Sequence, residues 1–163
     1  MTLRRGPGQD RYLNSMAEIF AEAEDEQRAM PRPWAVHDAG TGALVGFAMI
    51  SDNIPEPIDE DLVGPYFLWK LLIDERHQRH GYGREVARLI TGLIREAGAD
   101  DLLTSYVPEG EGGPGPFCEG LGFVPTGAVD GALSGMAPRD PGDGEIVQRS
   151  DQRVQVATGM RAN

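Results

Sequence analysis

Apolar residues at Tyr12, Met16, Ile19, Phe20 and Ala23 recur at the spacing of one helical face, with Glu18, Glu22 and Glu24 between them. They predict a first helix from about Asp10 to Gln27. The prolines of "AMPRP" end it, because proline cannot continue a helix and pushes its predecessor into an extended conformation. The pattern then shortens: "WAVHDAGTGALVGFAMI" reads as an antiparallel hairpin around a Gly-containing turn, and the acidic, Pro-rich "SDNIPEPIDEDLVGP" as a loop. "YFLWKLLI" is apolar on both faces, as a strand in a covered sheet should be. From Gly83 the helical spacing returns at Val86, Ile90, Leu93, Ile94 and Ala97, with Gly98 at the C-terminal cap.

After it, "LLTSYV" predicts a strand, "PEGEGGPGP" a turn, and "PFCEGL" a short helix with Gly122 beyond its end. "FVPTGAV" and "EIVQ" are strand-like, separated by "DGALSGMAPRDPGDG", a long connection for a hairpin. The expected architecture is α/β, a mixed sheet with helices on both faces, in one domain over residues 1–149 followed by a polar, partly ordered tail over 150–163.

A chain of 163 residues supports one buried core and is short for two. The net charge of −11 argues against nucleic acid as a partner, since phosphate neutralisation needs a basic face, and makes a small cationic molecule the more natural ligand. No apolar run approaches the roughly 20 residues needed to span a bilayer, so no membrane association is expected. "MTLRRGPGQD" lacks the apolar segment of a signal peptide, which gives a cytoplasmic expectation. The single cysteine, Cys118, suits a reducing compartment and forms neither an internal disulfide nor a zinc site.

Against this acidity, "ERHQRHGYGRE" concentrates Arg76, His77, Arg79, His80 and Arg84 just before a helix. A Rossmann fingerprint fails because Val86 stands where its third glycine belongs, and a Walker A loop fails because Gly83 is followed by Arg84 and Glu85. His77 and His80 lack a third metal ligand, so no metal is expected. What remains is an anion site: unpaired N–H groups at a helix start, the helix dipole, and glycines that let a phosphate approach the backbone.

The segment "LWKLLIDERHQRHGYGREVARLI" resembles the acetyl-coenzyme A-binding segment of the GNAT N-acetyltransferase superfamily, whose signature is Gln/Arg-x-x-Gly-x-Gly/Ala; Gln78, Gly81 and Gly83 fill its fixed places. With "LLTSYVPEGEGG", "PFCEGLGFVPTG" and "DGEIV", the chain is similar to bacterial spermine/spermidine-type members over residues 34–148, with gaps. The resemblance implies a mixed, mostly antiparallel central sheet splayed between its fourth and fifth strands, here Tyr66–Ile73 and Leu102–Val107, with acetyl-CoA in the gap. It assigns cofactor binding to Leu71, Leu72 and Ile73 along the strand, to Gln78, Arg79, His80, Gly81, Tyr82, Gly83 and Arg84 around the pyrophosphate, and to Phe117. It also implies direct attack of an amine on the thioester, with a backbone N–H near Leu72 or Ile73 polarising the carbonyl.

Cys118 stands where the family carries a tyrosine that protonates the departing thiolate. Cys118 as general acid, water in its place, a protein that binds coenzyme A with weak or no catalysis, and Cys118 as a small buried residue are all compatible with the sequence. The family's first strand is short or absent here, and residues 131–142 read as an insertion near the acceptor. The resemblance points to a primary amine acceptor, polyamine-like or another small cation, and brings the expectation of a homodimer. Glu18, Glu22 and Glu26, at i, i+4 spacing, and the loop acids Glu56, Asp59, Glu60 and Asp61 are acidic groups that could meet it, with Glu22 the candidate base.

Overall fold

The computed structural model describes residues 3–7, 9, 13–55, 65–99, 101–106, 114–121, 123–130, 133–138 and 154–158. The acidic positions 56–61, the strand expected at 145–148 and Val107 lie outside the described residues.

Helix α1 spans Met16–Asp25. It begins later than the periodicity predicts because Ser15 and Glu18 form a reciprocal capping box: the Ser15 hydroxyl accepts from the Glu18 N–H, and the Glu18 carboxylate accepts from the Ser15 N–H. A single 3-10 turn, Gln27–Ala29, and a left-handed Met30 lead into β1, Pro31–Asp38. β1 pairs with β2, Leu44–Asp52, as the expected hairpin, and β2 pairs antiparallel with β3, Tyr66–Ile73. Helix α2, Tyr82–Glu96, follows. After it come β4, Thr104–Tyr106, α3, Pro114–Gly120, and β5, Phe123–Asp130.

Two strands depart from the sequence expectation. Residues read as a connection form β6, Leu133–Pro138, which lies between β4 and β5 and pairs antiparallel with both. Within the segment set apart as a tail, β7, Val154–Thr158, pairs antiparallel with β1 and gives the order β3-β2-β1-β7. Among the described residues that pairing runs from Trp34 to Asp38 and does not include Pro31 or Pro33, whose missing N–H groups could not serve it. No strand precedes α1 among the described residues.

The four-stranded sheet is covered on both faces. Ile19 and Ala23 of α1 bury Phe47, Met49 and Leu72 on one side. On the other, Val86, Ile90 and Ile94 of α2 pack with Val36, Val45, Ala48, Ile50, Leu68 and Ile73. The two sheets meet where Phe67 and Leu103 form a parallel bridge, with the Leu68 N–H on the Leu103 carbonyl at 2.6 Å. The Thr104 hydroxyl adds a bond to the Leu68 carbonyl. No pairing between β3 and β4 beyond Leu68 is seen among the described residues.

β3 carries a bulge. Ile50 faces Leu68 and Met49 faces Lys70, which leaves Trp69 as an extra residue. Leu68 and Leu71 therefore both touch the α2-side core, while Trp69 and Lys70 both turn to the α1 side.

Candidate active site

The anion turn follows β3 directly. Asp74, fully buried, receives the Arg76 Nε at 2.7 Å and Nη2 at 2.8 Å, together with the backbone N–H groups of Arg4 and Arg76. The Arg76 side-chain hydrogen bonds hold the Asp74 carboxyl far below the usual carboxylate range, against the opposing effect of its burial. Arg76 is thus committed to the fold. Gln78 is similarly engaged: its side-chain amide donates to Gln9 Oε1 and to the Ile73 carbonyl, at 2.9 and 3.0 Å.

Arg79 takes a left-handed φ of 62° and Gly81 one of 86°, so the chain reverses sharply into α2, whose N-terminus no side chain caps. An added Cβ at Gly81 would meet nothing within 4 Å, so glycine is required there for its backbone angle. At Gly83 an added Cβ would make ordinary van der Waals contact, 3.4 Å from the Phe117 ring and 3.6 Å from Leu121 at the α3 end, so the protein itself leaves room for alanine there. Phe117 is half-exposed over this turn. Arg79 and His80 are exposed, and the His80 Nδ1 lies 2.7 Å from the Gln78 carbonyl. The Arg84 guanidinium donates to the Gly120 carbonyl at 3.2 and 3.3 Å, tying α2 to α3. The basic cluster read from the sequence therefore divides, with Arg79 and His80 facing solvent while Arg76 and Arg84 hold protein partners.

Tyr82 donates its hydroxyl to Asp38 Oδ2 at 2.8 Å, and its ring meets those of His77 and His80. The hydrogen bond from Tyr82, followed by those from Thr41, holds the Asp38 carboxyl down at about 2.

Along β3, the Asp74 N–H bonds the Val45 carbonyl of β2, so the alternation of a strand turns the backbone groups of Leu72 toward β2 and those of Leu71 and Ile73 away from it. Of the three positions assigned from the resemblance, Leu71 and Ile73 face the free edge. The Gln78 amide on the Ile73 carbonyl lies on that side.

Cys118 is almost completely buried in the core with Leu102, Ile90 and Phe123. Desolvation pushes its thiol up to about 11. Glu22 pairs with Lys70 of β3 at 3.0 Å and also accepts from the Asn14 amide. Glu18 serves the helix cap and Glu26 is the C-cap residue of α1, so the three acids do not form one free stripe. Lys70 was legible only as a charge inside an apolar run; Asp74, Asp38 and Gln9 gave no comparable signal. No metal-binding group of three or more His, Cys, Asp or Glu occurs among the described residues, and none of the described helices is long and apolar enough to cross a membrane.

The family model for the acetyltransferase (GNAT) family matches residues 3–110, which include β3, the anion turn and α2. The chain belongs to the acetyltransferase (GNAT) family. Members of this family transfer acyl groups from acetyl-CoA. Among solved structures, a protein described as a GnaT-family acetyltransferase from Bordetella pertussis aligns over 83% of each chain at 17% identity with a TM-score of 0.52, which places the GNAT fold. A protein described as histone acetyltransferase HPA2 and related acetyltransferase from Corynebacterium glutamicum aligns over 86% of this chain and 81% of its own, at 18% identity and a TM-score of 0.49. A nourseothricin acetyltransferase aligns over 66% of this chain and 64% of its own, at 21% identity and a TM-score of 0.45. No curated protein matches the chain.

Proposed function

We propose that this protein transfers the acetyl group of acetyl-CoA to a primary amine by direct attack. The observation that carries the reading is the conjunction of an uncapped α2 N-terminus, opened by Gly81 and Gly83, with a β3 edge whose Leu71 and Ile73 groups face away from β2. The first suits a pyrophosphate and the second an extended amide chain added as a strand would be. The end of pairing between β3 and β4 at Leu68 supports the expected gap between them.

In this reading acetyl-CoA supplies an activated thioester. Backbone N–H groups at the start of α2 hold its phosphates, with exposed Arg79 and His80 adding charge, and Phe117 covers the turn. Gln78 and Arg84 act through their ties to Ile73 and Gly120, which fix the turn and α3. The Leu71 or Ile73 N–H stabilises the carbonyl oxygen as charge develops on it. Overall, an ammonium acceptor becomes an amide, coenzyme A leaves as its thiol, and one proton is released to solvent. Glu22 is the proposed acceptor of the amine's proton.

Cys118 fits poorly as the acid for the departing sulfur. A thiol at about 11 is a weaker acid than a free thiol, so passing its proton to a thiolate of ordinary basicity runs uphill by roughly a hundredfold. Water then replaces the family's tyrosine. The same burial favours a second reading, a protein that binds coenzyme A without turnover. Thiol release from acetyl-CoA, measured against a panel of amines beside calorimetric acetyl-CoA binding, separates the two. Release with at least one amine supports transfer; binding with no release from any amine overturns it.

A further inference from the structure

We propose that the acceptor is a zwitterion, a free amino acid, read by the Glu22–Lys70 pair; this rests on the acetyl-transfer reading above. The β3 bulge brings the pair together. Lys70 lies two positions after Leu68, so in a strand without the bulge it would share the Leu68 face and point into the α2-side core. With it, Lys70 turns to the α1 face, where its Nζ lies 3.0 Å from Glu22 Oε2 and 6.0 Å from the centre of the Trp69 ring.

Lys70 immediately precedes Leu71 on β3, the strand whose Leu71 and Ile73 backbone groups face the free edge. Both side chains are partly accessible, Lys70 at 15% and Glu22 at 34%, and Asn14 fixes the second Glu22 oxygen. One ammonium and one carboxylate, held side by side, complement a ligand carrying the same two groups in reverse: its ammonium meets Glu22 and its carboxylate meets the remaining Lys70 protons. A polyamine would bring further ammonium groups against Lys70 with no carboxylate to offset them. The chain's overall charge of −11 attracts cations in general, but the nearest charges set the order of preference at the site, because distant ones are screened within about 8–10 Å.

The experiment compares thiol release from acetyl-CoA with free amino acids, with amines lacking only the carboxylate (alanine against ethylamine), and with spermidine, using the wild-type protein, Lys70→Met and Lys70→Arg. Acetyl-CoA binding is measured for each. The wild-type protein is expected to favour amino acids in kcat/KM, Lys70→Met to shrink that preference by about tenfold or more, and Lys70→Arg to keep it. A purely structural tie would lower kcat/KM for all acceptors together and leave the ratio fixed. Preference of the wild-type protein for ethylamine or spermidine, or an unchanged ratio in a Lys70→Met protein that binds acetyl-CoA, overturns the inference while leaving acetyl transfer intact. Acetyl-CoA binding without release from any amine overturns the transfer reading and the inference with it.

Discussion

The Tyr82 hydroxyl, on the first residue of α2, donates to Asp38 Oδ2 at the end of β1, 44 positions away in sequence. It fastens the mouth of the anion turn to the β1–β2 hairpin and is the leading reason the Asp38 carboxyl lies near 2 rather than 3.8. A group whose pKa is lower folded than unfolded contributes stability above its unfolded value and loses it as the pH falls through its folded value. Thermal melts should therefore show the Asp38 contribution intact above about pH 4 and disappearing toward pH 2. Tyr82→Phe should flatten part of that decline; an identical acid profile in the variant would dissociate Asp38 from it.

Asp74 joins the N-terminal segment to the anion turn through the Arg4 N–H and the Arg76 guanidinium. Asp74→Ala leaves these donors without their acceptor, while the half-exposed Arg76 can recover water. A loss of about 2 kcal/mol in urea unfolding is expected, accompanied by weaker acetyl-CoA binding. A wild-type affinity in the destabilised variant would detach this anchor from the proposed site.

Gly81 and Gly83 separate conformation from close approach. Gly81→Ala forces a side chain to adopt a φ of 86° and should cost about 1–2 kcal/mol of stability. Gly83→Ala occupies a helical position where alanine gains up to about 1 kcal/mol over glycine, and its Cβ meets Phe117 at ordinary van der Waals distance. Its stability should therefore hold or rise slightly while its acetyl-CoA affinity falls. Calorimetry alongside denaturation measures both, and unaltered affinity in Gly83→Ala would count against phosphate binding at this turn.

Arg79→Ala should weaken acetyl-CoA binding and lessen its dependence on salt, because this side chain is exposed and holds no ion pair among the described residues. Titrations at two ionic strengths test it; an unchanged salt response would assign the phosphate contact elsewhere.

Cys118→Ala should lower stability by about 1 kcal/mol, through the small cavity left in the core, and change kcat by no more than a few-fold. A drop of 100-fold or more at intact acetyl-CoA affinity would restore the thiol as the general acid.

The local code was legible where it was strong. The β1–β2 hairpin, the apolar β3, the helix read from Gly83, which begins one residue earlier at Tyr82, and the glycines at its start could all be read from spacing and residue type, because each depends on neighbours within a few positions. The start of α1 was displaced because the Ser15–Glu18 box outranks a periodic stripe. Residues 133–138, with two glycine or proline positions, carry no clear strand pattern and become β6 only through pairing on both edges.

The sequence by itself determined that an acidic α/β domain carries a glycine-bearing anion turn at a helix start, since charge, composition and glycine placement are properties of the chain. Tertiary structure decided which of its polar residues remain available. Arg76 goes to Asp74, Gln78 to Gln9 and Ile73, Arg84 to Gly120 and Lys70 to Glu22, while the cysteine sinks into the core. Most of these partners lie tens of residues apart along the chain, and the bulge at Trp69 depends on how β3 meets β2. No local pattern encodes such pairings, because a charged side chain takes whichever partner the packed backbone brings within reach.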